Sequence, residues 1–400
     1  MLLNAAIITA VVAVALLLLH PRLSGAVLWR AVVTPLASII GSGFLVIGPT
    51  LDFSFGRYAP LAMAALCLVA YLFGAAVRFN IAEIDKAQHL RSRLEQRLDR
   101  LAAWALGFAY IVSVAYYLNL FGAFGLSLGG ARGDADAARL LTTGVFVVIL
   151  VVGWTRGFKL LEQLEYLAVS AKLAIIAGLL VGLIAYFGER AANGLLVIAP
   201  AARTGWDAMA LTAGLLVTVQ GFETSRYLGA TYDAGTRIRS MRLAQWVSSA
   251  IYLVYIALTA LVFGRGHEAL SETAIIDMMS VVAPILPALL VAAALSAQFS
   301  AAIADTGGSG GLFTELSGNR IRPRHAYAML VALGLVLTWR ANVFEIIAYA
   351  SRAFALYYAL QAAIAAIAAW RSRRLARVAL FGAAALLGMA IAVFGEAIAA

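Results

Sequence analysis

Long runs of apolar residues recur along the whole 400-residue chain and constrain its fold more than any other feature. A helix needs roughly 20 residues to cross about 30 Å of hydrocarbon, and these runs are continuously apolar, whereas membrane strands alternate. The sequence therefore predicts an all-α integral membrane protein of about 12 transmembrane helices. The predicted spans are 2–19, 27–50, 59–77, 101–124, 138–154, 164–187, 207–230, 244–264, 275–309, 325–339, 342–369 and 376–395.

Composition excludes most classes of soluble protein. Hydrophobic residues make up 63% of the chain and charged residues 12%, against roughly 25% charged residues in a globular domain. A cytosolic enzyme, a disordered chain and a nucleic-acid binder are therefore all excluded. The single cysteine, Cys67, allows no internal disulfide, and the four histidines are far apart in sequence. Since the sequence also lacks an HExxH motif, we expect the protein to be no enzyme and to bind no metal and no cofactor. We expect it to lie in a lipid bilayer.

The distribution of basic residues predicts the orientation in the membrane. Loops on one side carry 20 Lys and Arg residues and loops on the other side carry 7, and the richer side is expected to be cytoplasmic. Both termini then lie outside, in a protein of the bacterial inner membrane. The long basic connection 78–100 carries leucines at helical spacing, which predicts a short amphipathic helix on the membrane surface.

Two spans are interrupted near their middle. The second contains Gly41-Ser42-Gly43, and the seventh contains Gln220-Gly221-Phe222-Glu223. Broken helices occur inside a membrane where they line a cavity or are buried in protein. These two spans are five apart and so cross in opposite directions, which is typical of inverted-repeat transporters. The predicted organisation is an extra helix at 1–25, repeats at 26–190 and 191–370, and a final helix at 371–400.

Four segments resemble the amino acid–polyamine–organocation (APC) superfamily of transporters. Ile39–Phe44 is similar to the glycine-rich first core helix, and Gly221–Glu223 resembles the Gly-Phe-Glu of the sixth. Glu165–Leu173 is similar to the fifth core helix, and Leu312–Arg324 resembles the amphipathic segment after the eighth. The resemblance implies the five-plus-five inverted-repeat fold and alternating-access transport of amino acids or related amines. It also implies that the Lys172 ammonium takes the place of a sodium ion found in other members.

Ionisable residues at membrane depth are functional candidates because a charge there costs about 2.5–3.5 kcal/mol. The deep acids are Glu223 and Asp305, and the deep bases are Lys172, Arg226 and Arg352. Asp305 is expected to be the counter-ion of Lys172, either in proton coupling or as a permanent structural bridge. Arg226 lies three residues after Glu223 and Arg352 seven after Glu345, so each arginine is predicted to pair along its own helix.

The sequence thus predicts a secondary transporter of amino acids or related small amines, sodium-independent and either proton-coupled or an exchanger. Alternatives are an organic-anion carrier, a sodium-coupled carrier of the same fold and a transporter-like membrane sensor. The expected partners are a small-molecule substrate, protons and lipid. The predicted substrate-binding residues are Gly41, Ser42, Gly43, Gly221, Phe222, Glu223, Arg226 and Tyr116, and the predicted ion-coupling residues are Lys172, Asp305 and Glu223.

Overall fold

A computed structural model of the chain describes residues 2–41, 43–87, 92–128, 134–155, 165–263 and 271–397. The described residues form fifteen α-helices joined by short 3-10 segments and loops, with no strand among them. The α-helices are α1 Leu2–Leu19, α2 Pro21–Ser24, α3 Val27–Ile39, α4 Gly43–Phe55, α5 Ala59–Ala87, α6 Arg93–Leu128, α7 Ala135–Thr155, α8 Glu165–Ala192, α9 Gly205–Gly214, α10 Ala234–Val262, α11 Ala274–Val282, α12 Leu286–Leu316, α13 Pro323–Arg340, α14 Val343–Arg371 and α15 Leu375–Phe394.

Each of the twelve predicted spans has a helical counterpart. Nine helical stretches of the described residues are long and apolar enough to cross a bilayer. They are α1, the joined α4 and α5, α6, α7, α8, α10, α12, α14 and α15. The 18-residue α13 matches the tenth predicted span. The half-helices α3 and α9 are the first parts of the two spans that were predicted to be interrupted.

The ninth predicted span, 275–309, is wrong as a single helix. It is divided into the short α11 and the long α12, and Ala283 between them has extended backbone angles. Pro284 follows Ala283, and a residue before proline is disfavoured in the helical region. The membrane crossing is therefore made by α12, with α11 as a separate nine-residue helix before it.

The amphipathic surface helix predicted for 78–100 is also wrong over its described residues. Helix α5 continues to Ala87 and α6 begins at Arg93, while 88–91 lie outside the described residues. Ser92 and Glu95 cap α6 reciprocally, with Ser92 N 2.7 Å from Glu95 Oε2 and Glu95 N 3.2 Å from Ser92 Oγ. This capping box satisfies amide groups that would otherwise be orphaned at a helix start. The polar residues thus extend two transmembrane helices beyond their apolar parts.

The long helix α6 lies at the centre of the packing. It packs against α7, α12, α13 and α14, while α10 packs against α3, α4 and α5. The terminal helices lie to the side, α1 against α8 and α15 against α14. The two interrupted spans are therefore enclosed by other helices, which is where a membrane protein tolerates non-helical backbone.

Candidate functional site

The two interruptions are in direct contact with each other. A Cβ atom added to Gly43 would lie 2.9 Å from the Thr218 Cα, and one added to Gly221 would lie 2.7 Å from the carbonyl carbon of Ser38. Gly221 also has a φ of 116°, a left-handed conformation that residues with a side chain rarely adopt. Glycine at these two positions allows the first broken span to cross the second at backbone distance.

A tyrosine from α10 joins the two breaks. The Tyr252 hydroxyl lies 3.0 Å from the carbonyl oxygen of Ile39 and 2.6 Å from that of Thr218. Both oxygens belong to backbone that the interruptions leave without its helical partner. Tyr252 is fully buried, and an orphaned carbonyl is costly in a membrane interior. A hydroxyl has one proton, which Tyr252 shares between the two carbonyl oxygens, so its side chain links the two breaks.

Two further side chains satisfy the carbonyl ends of the half-helices. Lys172 Nζ on α8 donates to Ala37 O in the last turn of α3 at 2.8 Å. Ser351 Oγ on α14 donates to Gly214 O at the end of α9 at 2.7 Å, and accepts from Val217 N at 2.9 Å. Lys172 lies 135 residues after Ala37, and Ser351 lies 137 residues after Gly214. The last long helix of each predicted repeat thus contacts the first half-helix of the same repeat in an equivalent way.

Glu223 is the buried acid at the second break. Its side chain is 0% exposed, and Oε2 accepts from Gly221 N at 3.0 Å and from the Tyr358 hydroxyl at 2.7 Å. Its other oxygen, Oε1, is buried without a hydrogen-bond partner among the described residues. Phe222 is also fully buried, and its ring stacks on Tyr358 with 4.9 Å between centroids. The carboxyl group is therefore fixed through one oxygen and has free accepting capacity on the other.

The carbonyl group of Gly221, a predicted substrate-binding residue, has no accepting capacity left. Its carbonyl oxygen already accepts from the Thr224 hydroxyl at 2.7 Å and from Thr224 N at 3.3 Å. A carbonyl oxygen has two lone pairs, so both are engaged. Open accepting capacity at this break therefore lies on side chains, among them the Glu223 carboxyl group.

Arg226 does not pair with Glu223, contrary to prediction. Its guanidinium forms an ion pair with Asp99 on α6 at 2.6 Å and donates to Gln361 Oε1 on α14. Residues three apart also share a face in the 3-10 segment Phe222–Ala230, so backbone geometry alone does not separate the two side chains. They are apart because each is held elsewhere, Glu223 by Gly221 N and the Tyr358 hydroxyl and Arg226 by Asp99 and Gln361. Arg226 therefore connects the 3-10 segment after Gly221 to α6 and α14.

Arg352 and Glu345 are also engaged separately. Arg352 Nε donates to Ala392 O in the last turn of α15 at 2.8 Å, while Glu345 forms a capping box with Asn342 at the start of α14. A cation at the carboxyl end of a helix complements its dipole. The predicted pairing along α14 is replaced by two helix-capping interactions.

Lys172 and Asp305 line the same cavity, which has a volume of about 50 Å³. The cavity lies beside the crossing, between α3, α8, α12 and the segment after Gly221, and offers room for a few water molecules. Asp305 on α12 accepts a hydrogen bond from Ser113 Oγ on α6. The polar residues that line the cavity are Thr34, Ser38, Lys172, Thr224, Ser300 and Asp305.

The structure brings most of the predicted site residues together. Gly41 lines a small second cavity that also contacts Lys172, and the Tyr116 hydroxyl lies 3.0 Å from where a Cβ on Gly43 would be. Ser42 lies outside the described residues. Arg226 is separated from this group by its engagement with Asp99.

Sequence reasoning missed Tyr252, Ser351, Tyr358 and Gln220 as members of the site. The first three have hydroxyl groups on otherwise apolar helices, a pattern that is also common in ordinary helix packing. The sequence carried one signal for Gln220. Its amide comes directly before a Gly-Phe-Glu at membrane depth, and burying an unpaired amide there costs free energy.

The chain was compared with known proteins. A family model described as an APC superfamily transporter matches residues 21–395. The chain belongs to the APC superfamily of transporters. A relative named only as an uncharacterized protein, from Aquifex aeolicus (strain VF5), is 42% identical over 356 residues, which is 88% of this chain and 86% of the relative. The family resemblance that four sequence segments indicated is thus confirmed.

Proposed function

We propose that this chain is a secondary active transporter of amino acids or related small amines that works by alternating access. The observation that carries the proposal is Glu223, a fully buried carboxyl group with an unpartnered oxygen beside the crossing of two broken helices. Leaving a buried acceptor without a partner costs about 1–3 kcal/mol. A substrate ammonium would satisfy Oε1 and offset that cost.

A substrate carboxylate would bind at the other break. Helix α4 begins at Gly43, so its first amide groups and the positive end of its dipole face the interruption. Half-helix ends of this kind hold anionic substrate groups in transporters with inverted repeats. Gly41, Ser42 and Gly43 are the proposed carboxylate side, and Glu223 with Phe222 and Gly221 the proposed amine side.

The equivalent capping contacts support the proposed repeat boundaries. Lys172 caps the first half-helix of the repeat 26–190, and Ser351 caps that of the repeat 191–370. Alternating access in such folds is largely a rocking of parts around a fixed site. In this mechanism, α3 and α9 move relative to α8 and α14, and breaking either capping contact accompanies the opening of one side.

Coupling, on this proposal, is to protons or to exchange and does not involve sodium. Lys172 brings an ammonium group to the cavity that Asp305 also lines. Changes in hydration and in the Lys172–Ala37 contact during the cycle would change how easily that ammonium is kept charged. Lys172 is therefore the proposed coupling residue, with Asp305 as its proposed counter-charge.

An organic-anion carrier is less well supported. It would need basic side chains directed toward the substrate, yet Arg226 is paired with Asp99 and Arg352 caps α15. A transporter-like sensor would bind a ligand at Glu223 in the same way, so flux across the membrane is what distinguishes it from a transporter. The orientation proposed from the loop charges, with both termini outside and the protein in the bacterial inner membrane, is compatible with either class.

Uptake into proteoliposomes tests the proposal. We expect accumulation of at least one radiolabelled amino acid or amine when a pH gradient is imposed, and counterflow exchange without a gradient. Glu223→Gln, which keeps the shape but removes the charge, should lower uptake strongly. Accumulation that requires a sodium gradient and ignores pH would contradict the coupling, and flux of organic anions alone would contradict the substrate class.

A further inference from the structure

A second buried acceptor lies three residues before Glu223 in the chain. Gln220 is 2% exposed, and its Oε1 is buried without a hydrogen-bond partner among the described residues. Its other amide atom, Nε2, donates to the Tyr117 hydroxyl of α6 at 3.3 Å. Gln220 and Glu223 flank Gly221, the residue that turns the chain with a positive φ. Each side chain is therefore fixed through one atom and has a free oxygen on the other.

The chemistry of these two oxygens restricts what can bind there. A glutamine carbonyl oxygen and an ionised carboxylate only accept hydrogen bonds. The groups around them are already engaged, since Gly221 N and the Tyr358 hydroxyl both donate to Glu223 Oε2. A ligand that satisfies both remaining oxygens must bring at least two N–H or O–H donors.

We propose that Gln220 is a specificity-determining residue that selects ammonium groups with at least two N–H donors over tertiary and quaternary ones. This inference rests on the proposed function and defines its substrate class more narrowly. A primary ammonium carries three N–H donors, enough for Gln220 Oε1 and Glu223 Oε1 together. Each methyl group removes one donor, and a quaternary ammonium leaves both buried oxygens unsatisfied. Sites built to hydrogen-bond a substrate reject analogues that lack the donor much more strongly than apolar pockets reject an extra methyl group.

The test uses two methylation series on the full-length protein in detergent, with ligand-induced thermal shift as the readout. One series is glycine, N-methylglycine, N,N-dimethylglycine and glycine betaine, and the other is butylamine with its mono-, di- and trimethylated forms. In the wild type, we expect affinity to fall by about tenfold for each donor lost once fewer than two remain. Gln220→Leu should weaken the unmethylated ligands and flatten the series, whereas Gln220→Glu keeps an acceptor and should keep the selectivity.

The matched control is Asn119→Leu. Asn119 is a buried amide on α6, and its Nδ2 already donates to Ala115 O and Thr338 Oγ1, both at 2.8 Å. Its removal should lower stability without changing the ratio of affinities within a series. Because that ratio is measured within one variant, it does not depend on how much of the variant folds.

The outcomes separate this inference from the proposed function. Equal affinities along both series in the wild type would overturn the role of Gln220 while leaving amine transport intact. An unchanged series in Gln220→Leu, or preferred binding of the quaternary compounds, would do the same. If neither series binds and no amine is taken up by proteoliposomes, both the inference and the proposed function fail.

Discussion

Lys172 donates its ammonium to the carbonyl oxygen of Ala37 at 2.8 Å, and so a charged side chain ends the first half-helix. The equivalent contact in the second half of the chain, between Ser351 and Gly214, uses a neutral hydroxyl. The two halves are therefore alike in geometry, but one cap carries a charge and the other is neutral. Proposed proton coupling through Lys172 makes this difference testable.

Replacing Lys172 with methionine tests this difference. We expect Lys172→Met to abolish accumulation driven by a pH gradient while reducing counterflow exchange less, because coupling needs the ammonium and exchange does not. The free energy of unfolding should also fall by about 1–3 kcal/mol, since Ala37 O loses its donor. Both quantities are measured on the same preparation, by proteoliposome flux and by thermal unfolding.

Ser351→Ala is the control for that experiment. It removes the equivalent cap from α9 and should lower stability, yet it should leave the response to a pH gradient unchanged. If Lys172→Met retained full gradient-driven accumulation, the lysine would be a structural cap only.

Hydropathy and glycine placement were sufficient to predict the general architecture. Nine helical stretches of the described residues are long and apolar enough to cross a bilayer, and they follow from apolar runs, since the bilayer sets a minimum helix length. The breaks at Gly41–Gly43 and at Gly221 follow from glycine's low helix propensity together with an acid at membrane depth. Glu223 was predicted as a site residue because placing a carboxyl group at membrane depth costs free energy, and such residues are rare unless they have a function.

The partners of the deep charges could not be predicted in this way. Arg226 is 127 residues from Asp99 in sequence, and no local pattern connects them. The i, i+3 rule gave Glu223 instead, because it considers neighbours along one helix only, whereas the partners of Arg226 lie on α6 and α14. Tyr252 and Ser351 were missed because their roles depend on orphaned carbonyl groups in other helices.

The Arg226–Asp99 ion pair should contribute measurably to stability. The side chains are 11% and 27% exposed, so removing one partner leaves the other poorly solvated. We expect Asp99→Asn to lower the free energy of unfolding by about 1–3 kcal/mol. Asp136→Asn is the matched control, because the Arg139–Asp136 pair leaves Asp136 78% exposed and exposed pairs contribute little. Equal melting temperatures for the two variants would contradict the prediction.

The cap of α10 gives a pH dependence with a defined sign. The Thr236 hydroxyl, and to a smaller extent the Thr236 backbone amide, lower the pKa of the Asp233 carboxyl group by donating hydrogen bonds to it. A lowered pKa in the folded state means that the stabilisation is fully present above the unfolded-state pKa and is lost as pH falls through the folded-state value. We expect Asp233→Asn to flatten the stability profile below about pH 4, as measured by thermal unfolding across pH. A mutant profile that keeps the wild-type slope in acid would refute this.

The orientation predicted from loop charges is tested by single-cysteine labelling in a Cys67→Ala background. Gln96 at the start of α6 and Asn193 after α8 are both exposed and lie on opposite predicted sides. An impermeant maleimide added to intact cells should label Asn193→Cys and not Gln96→Cys, with both labelled after permeabilisation. The reverse pattern would show that the termini are cytoplasmic.

Gly48 on α4 should be intolerant of any side chain. A Cβ atom there would overlap the hydroxyl of Tyr255, and would lie 2.6 Å from the ring carbon that bears that hydroxyl. The ring cannot retreat easily, because Tyr255 is fully buried and packs against Phe44, with the rings tilted by 31° and 4.5 Å between their centroids. Overpacking of this kind typically costs about 1–3 kcal/mol. We therefore expect Gly48→Ala to lower the melting temperature.

The control for Gly48 is Gly144→Ala on α7, where an added Cβ meets nothing within 4 Å. Alanine is the better helix former by about 1 kcal/mol, so this variant should be as stable as the wild type or more so. The two substitutions are chemically identical and both lie inside transmembrane helices, so the difference between them isolates the steric effect. Because α4 also begins at Gly43, where the two broken spans cross, displacing it should weaken substrate binding in Gly48→Ala and leave binding unchanged in Gly144→Ala. Wild-type stability and wild-type affinity in Gly48→Ala would show that α4 can shift away from Tyr255 without disturbing the crossing.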